Sequence, residues 1–479
     1  MTPAHPAAPP MGGAMARPHL IGIGGAGMSG IAKILAQRGA RVAGSDARDS
    51  RTAAALRALG ARVDIGHDAA HLAADASCVI VSSAIRDTNP ELAEARRRGL
   101  PVIHRSEALA ALMADKRAIA VAGTHGKTTT TSMLAVALRT LGLAPSYAIG
   151  GDLDVPGSNA EHGDGELFVA EADESDRSFH RYAPEVAVIL NAELDHHAHY
   201  ASLEEVYESF ETFAGRIVPG GTLVTNADQA GARELARRIG ASAAGPRLLT
   251  YGESPGADVR ITRVEPRGLT SEVTVLLRGE ELTIPVSVPG RHYAHNAVAA
   301  LAAGVAAGVP ADGLAKALGT YTGVRRRLTP VGEERGVRVV DSYAHHPTEM
   351  AADIEAMRDA AGEGRVLVVF QPHLFSRTRE LGAEMGRALA LADACLVLDI
   401  YPAREDPLPG VTSELVADAA RSSGARVLPG SALAEAPGIL AGMARRGDLV
   451  VTMGAGDVTE LGPRILARLA AEPGTDRTA

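Results

Sequence analysis

The sequence predicts an α/β protein of three domains, on three observations. Its 479 residues are more than one hydrophobic core organises, so two or three domains are expected. Short apolar segments alternate with helical segments, which is typical of parallel sheets covered by helices on both faces. Two glycine-rich turns, around Gly25 and around Gly126, each follow an apolar strand and precede a helix. The predicted boundaries are a disordered tail at 1–17, domains at 18–115, 116–324 and 325–472, and a second tail at 473–479.

The composition argues against several classes of function. A net charge of −9 disfavours a general nucleic-acid or anionic-membrane binder, and the lack of tryptophan disfavours base stacking on single strands. No apolar run approaches the ~20 residues of a membrane-spanning helix. Cys78 and Cys395 each lie in an apolar run and are predicted to be buried strand residues, which is typical of a reducing compartment. We therefore expect a cytoplasmic protein that binds small molecules, with no nucleic acid and no membrane insertion.

The first domain begins with a βαβ unit. A strand at 20–21 leads into Gly22-Ile23-Gly24-Gly25-Ala26-Gly27, a helix is predicted at 28–38, and a strand at 41–46 ends in Asp46. This turn lets a pyrophosphate approach the backbone, and the acidic strand end is typical of dinucleotide-binding folds. A nucleotide sugar satisfies the same turn, so a nicotinamide-dependent dehydrogenase remains one alternative. The domain continues with helices at 52–59, 90–98 and 107–113 and strands at 78–82 and 102–103.

The second domain opens with a phosphate-binding loop at 122–129, between a strand at 118–121 and a helix at 130–141. In such a loop Lys127 meets the outer phosphates and the hydroxyl of Thr128 reaches Mg²⁺. The standard motif has a glycine six residues before the lysine, whereas this chain has Val121, and Gly123 is the nearest glycine. A glycine-rich turn that binds nothing is therefore the alternative interpretation.

Polar residues follow the next strands of this domain. The strand at 167–170 ends in an acidic run that starts at Glu171, and the strand at 186–190 is followed by Asp195 and His196. The carboxyl ends of parallel strands meet at one edge of a sheet, so these groups are expected to lie near Lys127 and Thr128 and to hold Mg²⁺ there. A solvated acidic loop is the alternative. Further on we expect a helix at 202–216, a strand at 222–225, an antiparallel excursion at 247–288 and a helix up to about 307.

The third domain alternates in the same way, with strands predicted at 337–340, 366–370, 395–400 and 449–452. Every strand end carries polar residues, which predicts a second site along one sheet edge. Three arginines at 325–327 are either a solvated run or an anion clamp. Arg377 and Arg379 could hold a small carboxylate by charge-assisted hydrogen bonds.

Taken together, the motifs resemble the Mur ligases over nearly the whole chain, from about 19 to about 470. The resemblance rests on Gly22–Met28, Gly123–Thr128, Glu171–Asp176, Tyr343–Glu349, and Phe370–His373 with Ser376–Arg379. It implies an N-terminal Rossmann-like UDP-binding domain, a central P-loop ATPase domain and a C-terminal Rossmann-like domain. It further implies that the lactyl carboxylate of UDP-N-acetylmuramate attacks the γ-phosphate of ATP. The amine of L-alanine then attacks the acyl phosphate, in peptidoglycan precursor synthesis.

The resemblance also implies site residues, matched motif by motif. The UDP substrate is assigned to Gly22, Gly24, Gly25, Ala26, Gly27, Met28, Asp46 and Ser82. ATP is assigned to Gly123, Thr124, His125, Gly126, Lys127, Thr128, Thr129, His292, Asn296 and Asp341. Magnesium, as two ions with Mn²⁺ as an alternative, is assigned to Thr128, Glu171 and His196. The amino acid is assigned to His345, His346, Arg377 and Arg379. The catalytic set is Lys127, Glu171, His196, Arg326 and His345.

The chain departs from the family pattern at Ser342 and Leu328, and the segment 195–200 lacks an acidic residue that usually follows its histidine. These departures leave two alternatives within the family, a ligase that recycles a murein tripeptide and a diverged paralogue that uses another amino acid. The segment 370–379 resembles that of alanine-adding members and disfavours the recycling ligase. A non-catalytic nucleotide-binding regulator is the alternative outside the enzymes. A monomer or weak homodimer is expected.

Overall fold

The computed structural model describes residues 14–151, 153, 158–194, 200–241, 245–403 and 405–471. The chain separates into two compact units. The first unit comprises residues 1–263, 273–285 and 295–322, and the second comprises 264–272, 286–294 and 323–479. Within the described residues, no helix is long and apolar enough to cross a lipid bilayer.

The first unit begins with a five-stranded parallel sheet in the order β3-β2-β1-β4-β5. Its strands are β1 (Pro18–Ile21), β2 (Ala43–Asp46), β3 (Arg62–Ile65), β4 (Cys78–Val81) and β5 (Val102–His104). Its helices are α1 (Ala26–Gln37), α2 (Arg51–Ala58), α3 (Pro90–Arg97) and α4 (Arg105–Met113). Helix α3 begins as its sequence predicts, because Asn89 accepts hydrogen bonds from the first-turn amides and Pro90 occupies the first helical position. The predicted βαβ alternation is confirmed, and β3 is an additional strand.

The same unit contains most of a ten-stranded sheet in the order β15-β14-β13-β12-β11-β10-β6-β9-β7-β8. Its strands are β6 (Arg117–Ala122), β7 (Ser146–Ala148), β8 (Ala160–Glu161), β9 (Leu167–Glu171), β10 (Val186–Ile189), β11 (Thr222–Asn226), β12 (Arg247–Gly252), β13 (Val259–Arg267), β14 (Thr270–Leu277) and β15 (Glu280–Val286). The accompanying helices are α5 (Lys127–Thr140), α6 (Leu203–Ala214), α7 (Ala230–Gly240), α8 (Arg291–Ala306) and α9 (Ala311–Leu318). The first turn of α8 belongs to the second unit.

The expectation of an antiparallel excursion at 247–288 is wrong for its first part. Strand β12 pairs parallel with β11, and Tyr251 pairs parallel with Val259 of β13. Alternation of apolar and polar residues reports which face of a strand is buried, and it carries no information on strand direction.

The second unit is built on a five-stranded sheet in the order β16-β17-β20-β18-β19. Its strands are β16 (Thr329–Glu334), β17 (Val337–Ser342), β18 (Val366–Phe370), β19 (Ala394–Val397) and β20 (Leu449–Met453). Its helices are α10 (Pro347–Ala361), α11 (Phe375–Leu389), α12 (Glu414–Ser422), α13 (Ala436–Met443) and α14 (Leu461–Ala471). Only β16 runs antiparallel to its neighbour. Cys395 of β19, like Cys78 of β4, is buried and unpaired, which confirms both as strand residues.

Candidate functional site

The glycine-rich turn after β6 has the backbone that a phosphate loop needs. Gly123 and Gly126 have φ of +142° and +85°, in the region that side chains rarely adopt. A Cβ at Gly126 would lie 2.6 Å from Oδ1 of Asn296. The backbone N–H of His125 donates to Oδ1 of Asn191 at 2.8 Å, and the side-chain Nδ2 of Asn191 donates to the His125 carbonyl at 3.0 Å. The N-terminus of α5 therefore faces the turn, as in loops that bind phosphate.

The ammonium of Lys127 folds back onto the turn. It donates to the carbonyls of Gly123 at 2.7 Å and Thr124 at 3.2 Å, and it lies 2.8 Å from a carboxylate oxygen of Glu174. Burial lowers the pKa of Lys127, but the carboxylates of Glu174, Asp173 and Glu171 more than offset this and raise it. The side chain is thus held as a cation at the position from which it would reach the outer phosphates.

A hydroxyl and a carboxylate meet beside this lysine. Thr128 Oγ1 donates to Glu171 Oε1 at 3.1 Å, and the amide of Gly150 donates to Glu171 Oε2 at 2.7 Å. Burial raises the pKa of Glu171, and the charge of Lys127 opposes that rise. A carboxylate and a hydroxyl are hard oxygen donors of the kind Mg²⁺ takes, so this pair fits the ion. His196, the third predicted ligand, lies outside the described residues.

The other predicted ATP residues of the first unit surround the same turn. Thr124 Oγ1 accepts from the amide of Glu193 at 3.0 Å, and His125 Nε2 lies 3.5 Å from a Glu193 carboxylate oxygen. Thr129 is buried in the first turn of α5. The sequence analysis did not single out Asn191, which comes shortly after β10, or Glu174, which belongs to the acidic run after β9.

The turn after β1 is held by the end of β2. The amides of Gly22 and Ile23 donate to the carbonyl of Ser45 at 2.8 and 2.9 Å, and the amide of Gly24 donates to Asp46 Oδ2 at 2.8 Å. Gly25, Gly27 and Met28 complete the turn and enter α1, where Ala26 is the first residue. Ser82 follows β4, the strand beside β1, at the same sheet edge. All eight predicted UDP residues thus lie along one edge.

A cation that the sequence analysis missed joins this turn to the acidic run after β9. The guanidinium of Arg105 lies 3.2 Å from Asp173 and 3.0 Å from Asp176, and a Cβ at Gly27 would lie 3.4 Å from it. Burial lowers the pKa of Arg105, but Asp176 and Asp173 raise it overall. The arginine at the start of α4 carried no motif of its own, so only the fold reveals this link.

In the second unit, Arg326 and Asp341 form an ion pair at the end of β17. Arg326 has φ of +64°, and its Nε lies 3.5 Å from Asp341 Oδ2. Its Nη2 donates to the carbonyls of both Gly454 and Gly456, and the guanidinium lies 4.9 Å from the ring centre of Tyr343. Burial lowers the pKa of Arg326, against the pull of Asp341. Asp341 also accepts hydrogen bonds from two threonines, Thr452 and Thr459, both at 2.6 Å.

His345 is largely buried, with 18% of its side chain exposed. Burial lowers its pKa to about 3, and the nearby charge of Arg377 adds to that effect. Its Nδ1 lies 2.9 Å from the carbonyl of Tyr343. A carbonyl only accepts, so the proton is on Nδ1 and Nε2 keeps its lone pair. His346 has a different place, because its ring accepts from the amide of Thr348 and caps α10.

The two predicted arginines do not lie together. Helix α11 begins at Phe375, and residues two apart on a helix point to different sides. Arg377 is half-buried, whereas Arg379 is exposed and lies 3.3 Å from its neighbour Glu380. His292, predicted to contact the base of ATP, lies 3.1 Å from Asp353 of α10. The assignments of Arg377 and Arg379 to the amino acid and of His292 to ATP remain predictions.

Comparisons with known proteins cover almost the full chain. The Mur ligase family, catalytic domain, matches residues 17–117, the Mur ligase middle domain matches 121–304, and the Mur ligase, glutamate ligase domain matches 326–456. The UDP-N-acetylmuramate–L-alanine ligase of Streptomyces avermitilis is 73% identical over 462 residues, 96% of this chain and 99% of the relative.

Solved structures agree in fold. The UDP-N-acetylmuramate–alanine ligase of Thermotoga maritima has a TM-score of 0.78 and 28% identity, covering 94% of this chain and 98% of its own. A murein peptide ligase of Psychrobacter arcticus has a TM-score of 0.68 at 23% identity, covering 96% of this chain and 100% of its own, which speaks to the fold alone.

Proposed function

This chain belongs to the Mur ligase family, and we propose that it joins L-alanine to UDP-N-acetylmuramate, coupled to cleavage of ATP to ADP and phosphate. The observation that carries the proposal is the 73% identity to the Streptomyces avermitilis ligase of that name over nearly the full length of both chains. The geometry supports the proposal, since a glycine turn precedes α5, a hydroxyl meets a carboxylate beside Lys127, and the pKa of His345 is lowered by burial.

In the proposed reaction, a lactyl carboxylate oxygen of UDP-N-acetylmuramate attacks the γ-phosphorus of ATP and ADP leaves. The amine of L-alanine then attacks the acyl carbon, and phosphate leaves with the former carboxylate oxygen. Both steps pass through concentrated negative charge, so positioned cations and amides do most of the catalytic work.

The turn after β6 would bind the phosphates of ATP. The amides at the start of α5 point into the turn, and Lys127 exchanges its contacts with Gly123 and Thr124 for phosphate oxygens. Glu174 keeps this ammonium in place before ATP binds, because the pair lies 2.8 Å apart with both side chains mostly buried. Catalysis would begin from a lysine already close to its working position.

Thr128 and Glu171 would hold Mg²⁺, and His196 is proposed as a further ligand. When bound, Mg²⁺ neutralises phosphate charge and orients the γ-phosphoryl group. Two contacts orient the Glu171 carboxylate: one oxygen accepts a hydrogen bond from Thr128, and the other accepts one from the backbone N–H of Gly150. This leaves the carboxylate in one orientation, as ligating carboxylates require.

His345 and Arg377 would bind L-alanine. The lone pair on Nε2 of a neutral His345 can accept a hydrogen bond from the amine, and Arg377 supplies a charge for the carboxylate. His346 and Arg379 are weaker candidates, since one caps a helix and the other is exposed. The proposed domains at 18–115, 116–324 and 325–472 follow the three matched family domains, although their exact boundaries stay a proposal.

The test is Mg²⁺-dependent phosphate release from ATP in the presence of UDP-N-acetylmuramate. The amines compared are L-alanine, L-serine, glycine, a murein tripeptide and none. We expect the fastest release with the UDP-sugar and L-alanine together, release at least tenfold slower with L-serine or glycine, and none without an amine. Release that required the tripeptide would transfer the chain to the recycling ligases, and release with no amine would refute coupling to amide formation.

A further inference from the structure

A buried polar cluster lies beneath the N-terminal glycine turn and has no part in the chemistry proposed above. It consists of His19, Ser45, His67 and Glu91. The Glu91 carboxylate lies 2.5 Å from His19 Nε2, 2.8 Å from Ser45 Oγ and 2.9 Å from His67 Nδ1. His19, Ser45 and Glu91 are fully buried, and the side chain of His67 is 26% exposed.

Every group around Glu91 donates to it. A carboxylate accepts only, so His19 carries its proton on Nε2, His67 carries one on Nδ1 and the hydroxyl of Ser45 points at Glu91. The remaining ring nitrogen of His19, Nδ1, is buried and has no hydrogen-bond partner among the residues that the structure describes. The tautomers and rotamers of the four side chains are therefore set by one another.

Packing alone does not explain this cluster. Side chains alternate along β1, so His19 shares a face with Ile21, which packs with Val79 and Leu92 in an apolar cluster. An apolar side chain at position 91 would suit that face without the desolvation cost of a carboxylate, and replacing buried ion pairs by apolar groups is often neutral or stabilising. Packing of this face therefore does not by itself require a carboxylate at position 91.

The cluster reaches the glycine turn through Ser45. The carbonyl of Ser45 accepts both the Gly22 and Ile23 amides, and the next residue, Asp46, accepts the Gly24 amide. Three consecutive amides of the turn are therefore set by two consecutive residues of β2. The hydroxyl of Ser45 anchors the end of β2 to Glu91, and the carbonyl of the same residue holds the turn, so the cluster restrains the place at which β2 presents that carbonyl.

We propose that Glu91, together with His19 and His67, is a positioning group that sets the glycine turn for the diphosphate of the nucleotide-sugar substrate. This inference rests on the proposed function, since it takes that substrate to be UDP-N-acetylmuramate. Glu91 acts through Ser45 and touches no substrate itself. A turn already held in its bound geometry loses less conformational entropy on binding, and this raises the affinity for the substrate.

The test compares Glu91→Gln with Glu94→Gln in the complete chain. The first keeps the shape of residue 91 but turns one acceptor oxygen into a donor that faces other donors. The second removes a carboxylate from the same helix, where it pairs with Arg97 at the surface. Calorimetric binding of UDP-N-acetylmuramate alone is measured beside steady-state kinetics for all three substrates. A double variant, His19→Leu with Glu91→Leu, removes the buried pair of His19 and Glu91 and covers the case in which Glu91→Gln does not fold.

We expect Glu91→Gln and the double variant to weaken binding of UDP-N-acetylmuramate, and to raise its KM, by about tenfold, the scale of one hydrogen bond to a charged group. KM for ATP and kcat should change less than twofold, and Glu94→Gln should match the wild type. Unchanged UDP-sugar binding in folded variants, or equal losses for all three substrates, would overturn the inference while wild-type turnover still supported the function. A wild-type chain that did not bind the UDP-sugar would overturn both.

Discussion

The ion pair between Lys127 and Glu174 predicts that mutations of the two residues affect activity and stability differently. In the proposed reaction Lys127 contacts the transferring phosphoryl group, so Lys127→Met removes a side-chain cation from it, and removing one such donor from a preorganised site lowers kcat about 10²- to 10³-fold. The same change leaves the Glu174 carboxylate, 2% exposed, without the ammonium that lies 2.8 Å away. Breaking a buried pair from one side costs about 3–5 kcal/mol of stability.

The double variant Lys127→Met with Glu174→Gln removes the stranded charge. We expect it to recover most of the lost free energy of unfolding in urea titrations and none of the lost phosphate release. Lys116→Met is the matched control, because Lys116 also donates to backbone carbonyls, those of Gly163 and Gly165, away from the turn. Phosphate release by the double variant above a tenth of the wild-type rate would refute the role given to Lys127.

Three further predictions concern the other groups. Glu171→Gln should raise the Mg²⁺ concentration for half-maximal activity at least tenfold, measured by metal titration, and an unchanged requirement would remove Glu171 from the metal site. Arg377→Ala should raise KM for L-alanine about tenfold with KM for ATP within twofold, while Arg379→Ala changes neither, and equal effects of the two would contradict the placement along α11. Because burial depresses the pKa of His345 to about 3, unfolding takes up a proton below the ordinary pKa near 6.5. The free energy of unfolding therefore falls as the pH falls below about 6.5. In urea unfolding, the wild type should lose about 1 kcal/mol more of it than His345→Gln between pH 7.5 and 5.5. Equal losses in the two proteins would contradict a lowered pKa for His345.

The phosphate loop could be predicted closely because three local signals coincide. The apolar run of β6, the glycines at positive φ and the helical spacing of α5 each point to the same strand-turn-helix, and the departure at Val121 does not alter it. In the same way, the alternation of apolar runs predicted all the parallel strands of the central and C-terminal sheets that carry proposed site residues. Signals within about ten residues were sufficient for these elements.

Long-range choices could not be predicted in this way. The acidic run at 171–176 offers four carboxylates, and only the fold shows that Glu174 pairs with Lys127 while Glu171 meets Thr128. Strand β3 was missed because its four residues, Arg62–Ile65, include two charged ones at a sheet edge. No helix was predicted after the strand at 366–370, so the sequence did not show that Arg377 and Arg379 lie on α11 and point to different sides.

The central claim is that a carboxylate oxygen of UDP-N-acetylmuramate is transferred to phosphorus. The most direct measurement uses this substrate with ¹⁸O in its lactyl carboxylate and follows the label by mass spectrometry of the released phosphate. The proposed acyl phosphate predicts one ¹⁸O atom in each phosphate formed with L-alanine. Unlabelled phosphate, or ¹⁸O in AMP, would show that the carboxylate is not phosphorylated by the γ-group of ATP and would contradict the mechanism.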